Sequence, residues 1–117
     1  MAKHRQLGTR GELLAVTWLQ EKGFVIQEQN WRYSYYEVDI IAVKDQVLHF
    51  VEIKTRSNTK FGEPEESVSK KKMHNLLTAG EAYQYQHPQW KRVQYDVLSI
   101  TILPEKTEYF FIEDVYL

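Results

Sequence analysis

The chain has 117 residues, 43% of them hydrophobic and 26% charged, which suits one compact soluble domain and leaves too little for two. A formal charge of -1 excludes whole-molecule attraction to polyanions, so any nucleic-acid surface has to be a local patch. The absence of cysteine excludes a disulfide framework, a thiolate nucleophile and a cysteine-ligated zinc site.

The opening segment "MAKHRQLGTRGE" has neither the apolar stretch nor the small-residue cleavage site of a secretory signal, and no long apolar run follows it. A cytoplasmic location without a membrane segment is therefore expected. "TRGELLAVTWLQEKGF" predicts an amphipathic helix, because Leu14 with Trp18 and Ala15 with Leu19 recur at a spacing of four and Gly23 stands where a helix stops. Within it "TRGE" fits a capping box, Thr9 as N-cap and Glu12 three residues on, which would put a carboxylate in the helix's first turn. Residues 24 to 31, "FVIQEQNW", predict a short strand drifting into a loop. "RYSYYEVDIIAV" leads into a second strand centred on Ile40, and "QVLHFVEIK" forms a third.

From Pro64, "PEESVSKKKMHNLLTAGEAYQYQ" predicts a second helix, with Val68, Lys72, Leu76, Gly80 and Tyr83 along one stripe, until "HPQW" breaks it. "RVQYDVLSITI" alternates as a strand, and "EYFFIEDVYL" closes the chain as its hairpin partner through "PEKTE". The order is α-β-β-β-α-β-β, a single α/β domain over residues 1–117 with a mixed sheet and helices packed on it.

The third strand poses a chemical problem. Strand alternation puts Glu52 and Lys54 on one face while Val51 and Ile53 point the other way, yet ionised groups leave water only when paired or bound to something charged. If Asp45 and Gln46 form a two-residue loop, Lys44 faces Val47, Asp39 faces Glu52 and Glu37 faces Lys54. A three-residue loop without a bulge would turn Asp39 to the other face. Cβ atoms of directly opposed residues lie about 5 Å apart, so two carboxylates would converge on one spot beside a further glutamate and a lysine. They repel unless a proton or a cation sits between them, and an oxygen-preferring divalent ion such as Mg2+ or Mn2+ suits them. Water activated at that ion could attack a phosphodiester while Lys54 stabilises charge on the phosphate oxygens. The bland alternative is a surface charge ladder in which Glu37 pairs with Lys54 and Glu52 is solvated. Placement among Ile40, Ile41, Phe50, Val51 and Ile53 favours the first reading, since central strands seldom carry spare charges.

Taken together, "GTRGELLAVTWLQEKGFVIQEQNWR", "YEVDIIA", "FVEIKTR", "FGEPEESVSKKK" and "YDVLSI" resemble the YraN-like family of uncharacterised bacterial proteins, from about Gly8 to Ile102. That family is grouped with the PD-(D/E)xK nucleases of restriction-endonuclease-like fold, near the Holliday junction resolvases. The resemblance implies a metal-dependent endonuclease acting on DNA, with branched or damaged DNA as candidate forms. By it Asp39 matches the motif's aspartate, Glu52 and Lys54 its E-x-K, Glu12 an acidic residue of the first helix, and Glu37 the glutamate of a G-E-x-D stretch. Asp39, Glu52, Glu12 and Glu37 are thus candidate metal ligands, with Asp39, Glu52 and Lys54 as the catalytic set. Tyr36 departs from the glycine of that stretch, either as a bulky ring at the site or as a partly exposed aromatic at a strand end. Resolvase-like relatives work as symmetric pairs, so a homodimer is an open expectation, with the aromatic C-terminal strand as its candidate edge.

Lys70, Lys71 and Lys72 sit near the start of the second helix, where the helix dipole disfavours cations. With Arg56 and Lys60, and Lys3, Arg5 and Arg10 as further members, they are candidates for contacting a phosphate backbone; the alternative is a solvated helix face. Trp31 with Arg32, and "QWKR" at 89 to 92, offer aromatic and basic groups able to stack on bases, although core packing is the usual fate of tryptophan. His4, His49, His74 and His87 lack zinc-ligand spacing and carry no assigned role. A non-catalytic nucleic-acid-binding module of the same fold, or an adaptor that binds no nucleic acid, remain the competing readings.

Overall fold

The structure, a computed structural model, describes residues 2–57 and 69–115. Helix α1 (Ala2–Glu21) leads into strands β1 (Val25–Tyr33), β2 (Tyr36–Lys44) and β3 (Val47–Arg56). Helix α2 (Lys70–Gln86) then precedes β4 (Val93–Ile102) and β5 (Thr107–Ile112). The expected order of elements and the mixed α/β architecture are both observed. The strands form one sheet in the order β1-β2-β3-β4-β5, antiparallel except where β3 and β4 run parallel across the α2 crossover. β1 and β5 are its edges, as expected for the C-terminal strand.

The two helices cover opposite faces of the sheet. On one, Ala15 and Leu19 of α1 pack with Phe24, Ile40, Ala42, Val51, Leu98 and Ile100. On the other, Met73, Leu76, Ala79 and Tyr83 of α2 pack with Val38, Ile41, Leu48, Phe50 and Val97. Each fully buried leucine or phenylalanine contributes about 1.5 to 3 kcal/mol relative to exposure, so these two layers fix the sheet between the helices. Gly11 lets α1 approach β3: a Cβ there would collide with the Thr55 side chain.

Two expectations about the helices require correction. α1 does not start at Thr9 but at Ala2, so the capping box is not formed and Glu12 lies in the helix interior. Ala2, Lys3, Arg5, Gln6 and Leu7 are good helix formers apart from any cap, and Gly8 alone does not break the run. In α2 the N-cap is Ser69, whose Oγ accepts from the Lys72 N–H at 3.2 Å. The buried stripe passes through Met73 rather than Lys72, which is exposed; Pro64 and Val68 lie outside the described residues. β1 also runs on to Tyr33 where a loop was expected after Trp31. Among the described residues no helix is long and apolar enough to cross a membrane, an observation that does not bear on membrane β-barrels.

Candidate functional site

The β2–β3 turn settles the register. Asp45 (φ 51°) and Gln46 (φ 67°) both adopt left-handed backbone, as a two-residue type I′ loop requires, and Lys44 faces Val47. Paired positions then run back to Ile40 opposite Val51, and there the ladder ends. Beyond it β2 is bonded only to β1, as far as Tyr36, and β3 only to β4, as far as Arg56. The two central strands therefore part like a fork, with Asp39 as the first residue past the branch. Asp39 Oδ2 accepts from the Ile53 N–H at 2.8 Å, so its side chain takes the place of the missing ladder bond. Alternation breaks at the same point, since Val38 and Ile41 both join the α2-side core while Ile40 joins the α1 side.

Four acids share this fork. Asp39 is pushed up to about 7 by burial first, then by the charge of Glu52; the Ile53 N–H opposes the rise, and Glu37 and Glu12 add to it. The Glu52 carboxyl is also raised, mainly by burial, with Lys72 of α2 pulling it down and Glu37 pushing it up. The electrostatics thus unite Glu12 from α1, Glu37 and Asp39 from β2 and Glu52 from β3, although Glu12 reaches them from a mid-helix position. Lys54 Nζ lies 3.7 Å from Glu52 Oε1, both side chains being about four-fifths buried. Glu37 does not pair with Lys54, because the strands have already separated; it faces Arg32 on β1 and bonds Arg32 Nη2 at 2.8 Å.

Asn30 is the member of the site that the sequence reading missed. It lies between the pairs Gln29–Ile40 and Trp31–Val38, hence across from Asp39, and its φ of 53° is left-handed within a strand. With its NH2 turned toward acceptors, the amide donates to Glu12 Oε1 at 3.3 Å and Glu37 Oε1 at 3.1 Å. An asparagine inside a strand, where its propensity is poor, was the one available signal.

An all-oxygen donor set with mutual repulsion suits a hard divalent cation in its chemistry. In the described arrangement, however, no three acid or imidazole groups come together closely enough to hold an ion. Protein donors occupy the carboxylates instead: Lys54 on Glu52, Arg32 on Glu37 and Asn30 between Glu37 and Glu12.

The basic candidates divide. Lys70, Lys71 and Lys72 are exposed and fill the first turn of α2, with Lys72 close enough to Glu52 to lower its pKa. Arg56 is half-buried and its Nε donates to Thr101 Oγ1 at 3.2 Å. Lys60 lies outside the described residues, as do the side chains of Lys3 and Arg5, while Arg10 is exposed. Trp31 packs edge-on against Tyr83, with ring centres 5.0 Å apart, and so belongs to the α2-side core. Tyr36 packs against the same core, whereas its neighbour Tyr35 is 95% exposed at the β1–β2 turn.

Fold and site define a small α/β domain with a mixed five-stranded sheet, split at its centre to gather carboxylates and a lysine. Residues 11–100 match the model of the uncharacterised protein family UPF0102, and the chain belongs to that family, as the YraN-like resemblance implied. It is 41% identical over 100 residues to a UPF0102 protein of Bacteroides thetaiotaomicron, covering 86% of this chain and 83% of that one. A UPF0102 protein of Syntrophomonas wolfei is 40% identical over 106 residues, covering 90% and 92% of the two chains. One of Dictyoglomus turgidum is 38% identical over 103 residues, covering 87% of each.

Proposed function

We propose that the protein is a metal-dependent endonuclease that hydrolyses phosphodiester bonds of DNA, with Asp39, Glu52 and Lys54 as its catalytic set. The observation that carries this reading is Asp39 at the branch of the β2–β3 fork, held near a pKa of about 7 by burial beside Glu52. Buried like charges are costly and are kept where a site uses them. Asp39 and Glu52, with Glu37 and Glu12 beside them, would hold the cation. A bound Mg2+ or Mn2+ would supply Lewis-acid stabilisation of the phosphate and acidify an attacking water. Lys54 places its amino group 3.7 Å from Glu52 Oε1, suited to orienting that water and stabilising negative charge as it develops on the phosphate. Lys70, Lys71 and Lys72 would hold the phosphate backbone alongside, the charge they place at a helix N-terminus being offset by the polyanion.

The test incubates labelled linear, nicked and four-way-junction DNA, and RNA, with magnesium or manganese. Wild type is compared with Asp39→Asn and Lys54→Ala. Cleavage by wild type that falls at least a hundredfold in both variants is expected, as when a group that stabilises the transition state is removed. Undiminished cleavage in both would remove these residues from the mechanism. Binding without cleavage, at an affinity independent of divalent ions and unchanged in Asp39→Asn, would instead establish a non-catalytic nucleic-acid-binding module. Calorimetry that detects no uptake of either ion would refute the metal site.

A further inference from the structure

A second cluster of chemistry lies on the α1 face, apart from the fork acids. His49 on β3 is only 6% exposed, and its Nδ1 stands 2.6 Å from Oδ2 of the fully buried Asp96 on β4. The other Asp96 oxygen accepts from Gln94 Nε2 and from the Asp114 N–H, both at 2.9 Å. A carboxylate so surrounded by donors accepts a third hydrogen bond from His49, which assigns the Nδ1 proton to the imidazole. The edge of the Phe24 ring packs on the imidazole with centres 4.9 Å apart, so the ring is fixed on several sides. Its remaining nitrogen, Nε2, has no protein partner among the described residues. Because no buried side-chain nitrogen or oxygen among them lacks one, Nε2 must be reachable from outside.

What it reaches is a pocket of about 340 Å³ lined by His49, Lys22, Lys44, Trp18 and Phe24, with Asp45, Gln94 and Glu113 also on its wall. That volume suits a small organic ligand. Lys22 Nζ lies 5.2 Å from the centre of the Trp18 ring and Lys44 Nζ 5.2 Å from that of Phe24. Cation–π contact positions each ammonium without neutralising it, and neither lysine forms an ion pair with a described carboxylate. A buried carboxylate–imidazole pair is a costly element in a small core, and packing alone does not call for one.

We propose that this pocket binds a phosphomonoester, its phosphate held by Lys22, Lys44 and His49 Nε2 and its hydroxyl groups donating to Asp45 or Glu113. The opposing charges on the wall suit a ligand with an anionic end and a hydroxylated body. Whichever atom carries the proton shared by Nε2 and a phosphate oxygen, Asp96 offsets the charge of the imidazolium form. The same phosphate chemistry is presented by a free mononucleotide and by the 5′ end of a nucleic-acid strand. The pocket shares no residue with the acidic fork, so its assignment stands apart from the nuclease reading.

The test follows the side-chain nitrogens of His49 by proton–nitrogen NMR in the intact protein. Adenosine 5′-monophosphate, adenosine, and a short single strand with either a 5′-phosphate or a 5′-hydroxyl are titrated in turn. A shift of Nε2 at millimolar or lower adenosine 5′-monophosphate, absent with adenosine, is expected, with affinity about tenfold weaker in Lys22→Ala and in Lys44→Ala. A shift caused only by the 5′-phosphorylated strand would support the same site and identify the strand end as its ligand. Both lysines are near the surface, so these variants probe the site without disturbing the buried His49–Asp96 pair. No shift with any phosphate, an equal shift with adenosine, or unchanged affinity in both lysine variants would overturn the proposal.

Discussion

Asp39 shows how a residue suited to chemistry can work against the fold that carries it. Its carboxyl sits at about 7 in the folded protein against 3.8 in the open chain, so folding draws in a proton over that interval. The native state binds more protons than the unfolded one, and stability therefore falls as pH rises from about 4 and is lost through about 7. The contribution is complete below pH 4 and absent above pH 8, with a ceiling of roughly 4 kcal/mol when the whole interval is counted. Asp39→Asn keeps an oxygen to accept from the Ile53 N–H but carries no charge. It is expected to gain stability over wild type by a few kcal/mol at pH 8 and by almost nothing at pH 4, measured by denaturant unfolding without divalent ions. A gap independent of pH would mean that Asp39 is not the titrating group. Strand parity and loop length pointed to Asp39, Glu52 and Lys54, but the paired register they implied stops at Ile40–Val51, so the fork that parts Asp39 from a ladder position opposite Glu52 was not legible. Asn30 and Asp96 were not legible either, because their partners come from α1 or from a strand 47 residues away, an arrangement that local pattern does not encode.

At the scale of elements, the site depends on one turn and one close approach. The β2–β3 loop fixes the register, and with it the face on which Asp39 emerges, yet it uses Gln46 at φ 67°, where glycine is the natural occupant. Gln46→Gly should relieve left-handed strain of about 1 to 2 kcal/mol, less part of that for the added freedom of the unfolded chain. A net gain of about 0.5 to 1 kcal/mol is expected in denaturant unfolding, with the fork unchanged. Gly11 acts in the opposite sense, since it is what allows α1 to carry Glu12 down toward Asn30 and Asp39. Gly11→Ala should cost about 1 to 3 kcal/mol despite alanine's better helix propensity, because Thr55 on the facing strand leaves no room for the methyl group. A stabilised Gly11→Ala would show that the helix can lift from the sheet at little expense. The hairpin could be read from sequence because a short loop admits few registers. The start of α1 could not: a capping pattern at Thr9 gives way to continued helix wherever the preceding residues are themselves good helix formers.

On the scale of the whole molecule, charge must be local to matter, because the total is only -1. The parallel β3–α2–β4 crossover brings the first turn of α2 alongside the fork, so Lys72 acts on Glu52 across the gap between helix and sheet. Sequence alone placed the lysine run near the start of the helix; that it fills the first turn follows from Ser69 being the N-cap. With Ser69 as N-cap, Lys70, Lys71 and Lys72 crowd the end where the dipole is positive, at a cost of about 0.3 to 1 kcal/mol each at low ionic strength. Replacing all three with alanine should therefore stabilise the free protein slightly and, on the proposed function, weaken binding of nucleic acid. Each phosphate that is no longer neutralised should flatten the plot of log affinity against log salt by about 0.7 to 0.9, so the triple variant should show a slope smaller by about 2 to 3. Fluorescence anisotropy with a labelled duplex across a salt series measures this directly, and an unchanged slope would assign the run to a solvated helix face.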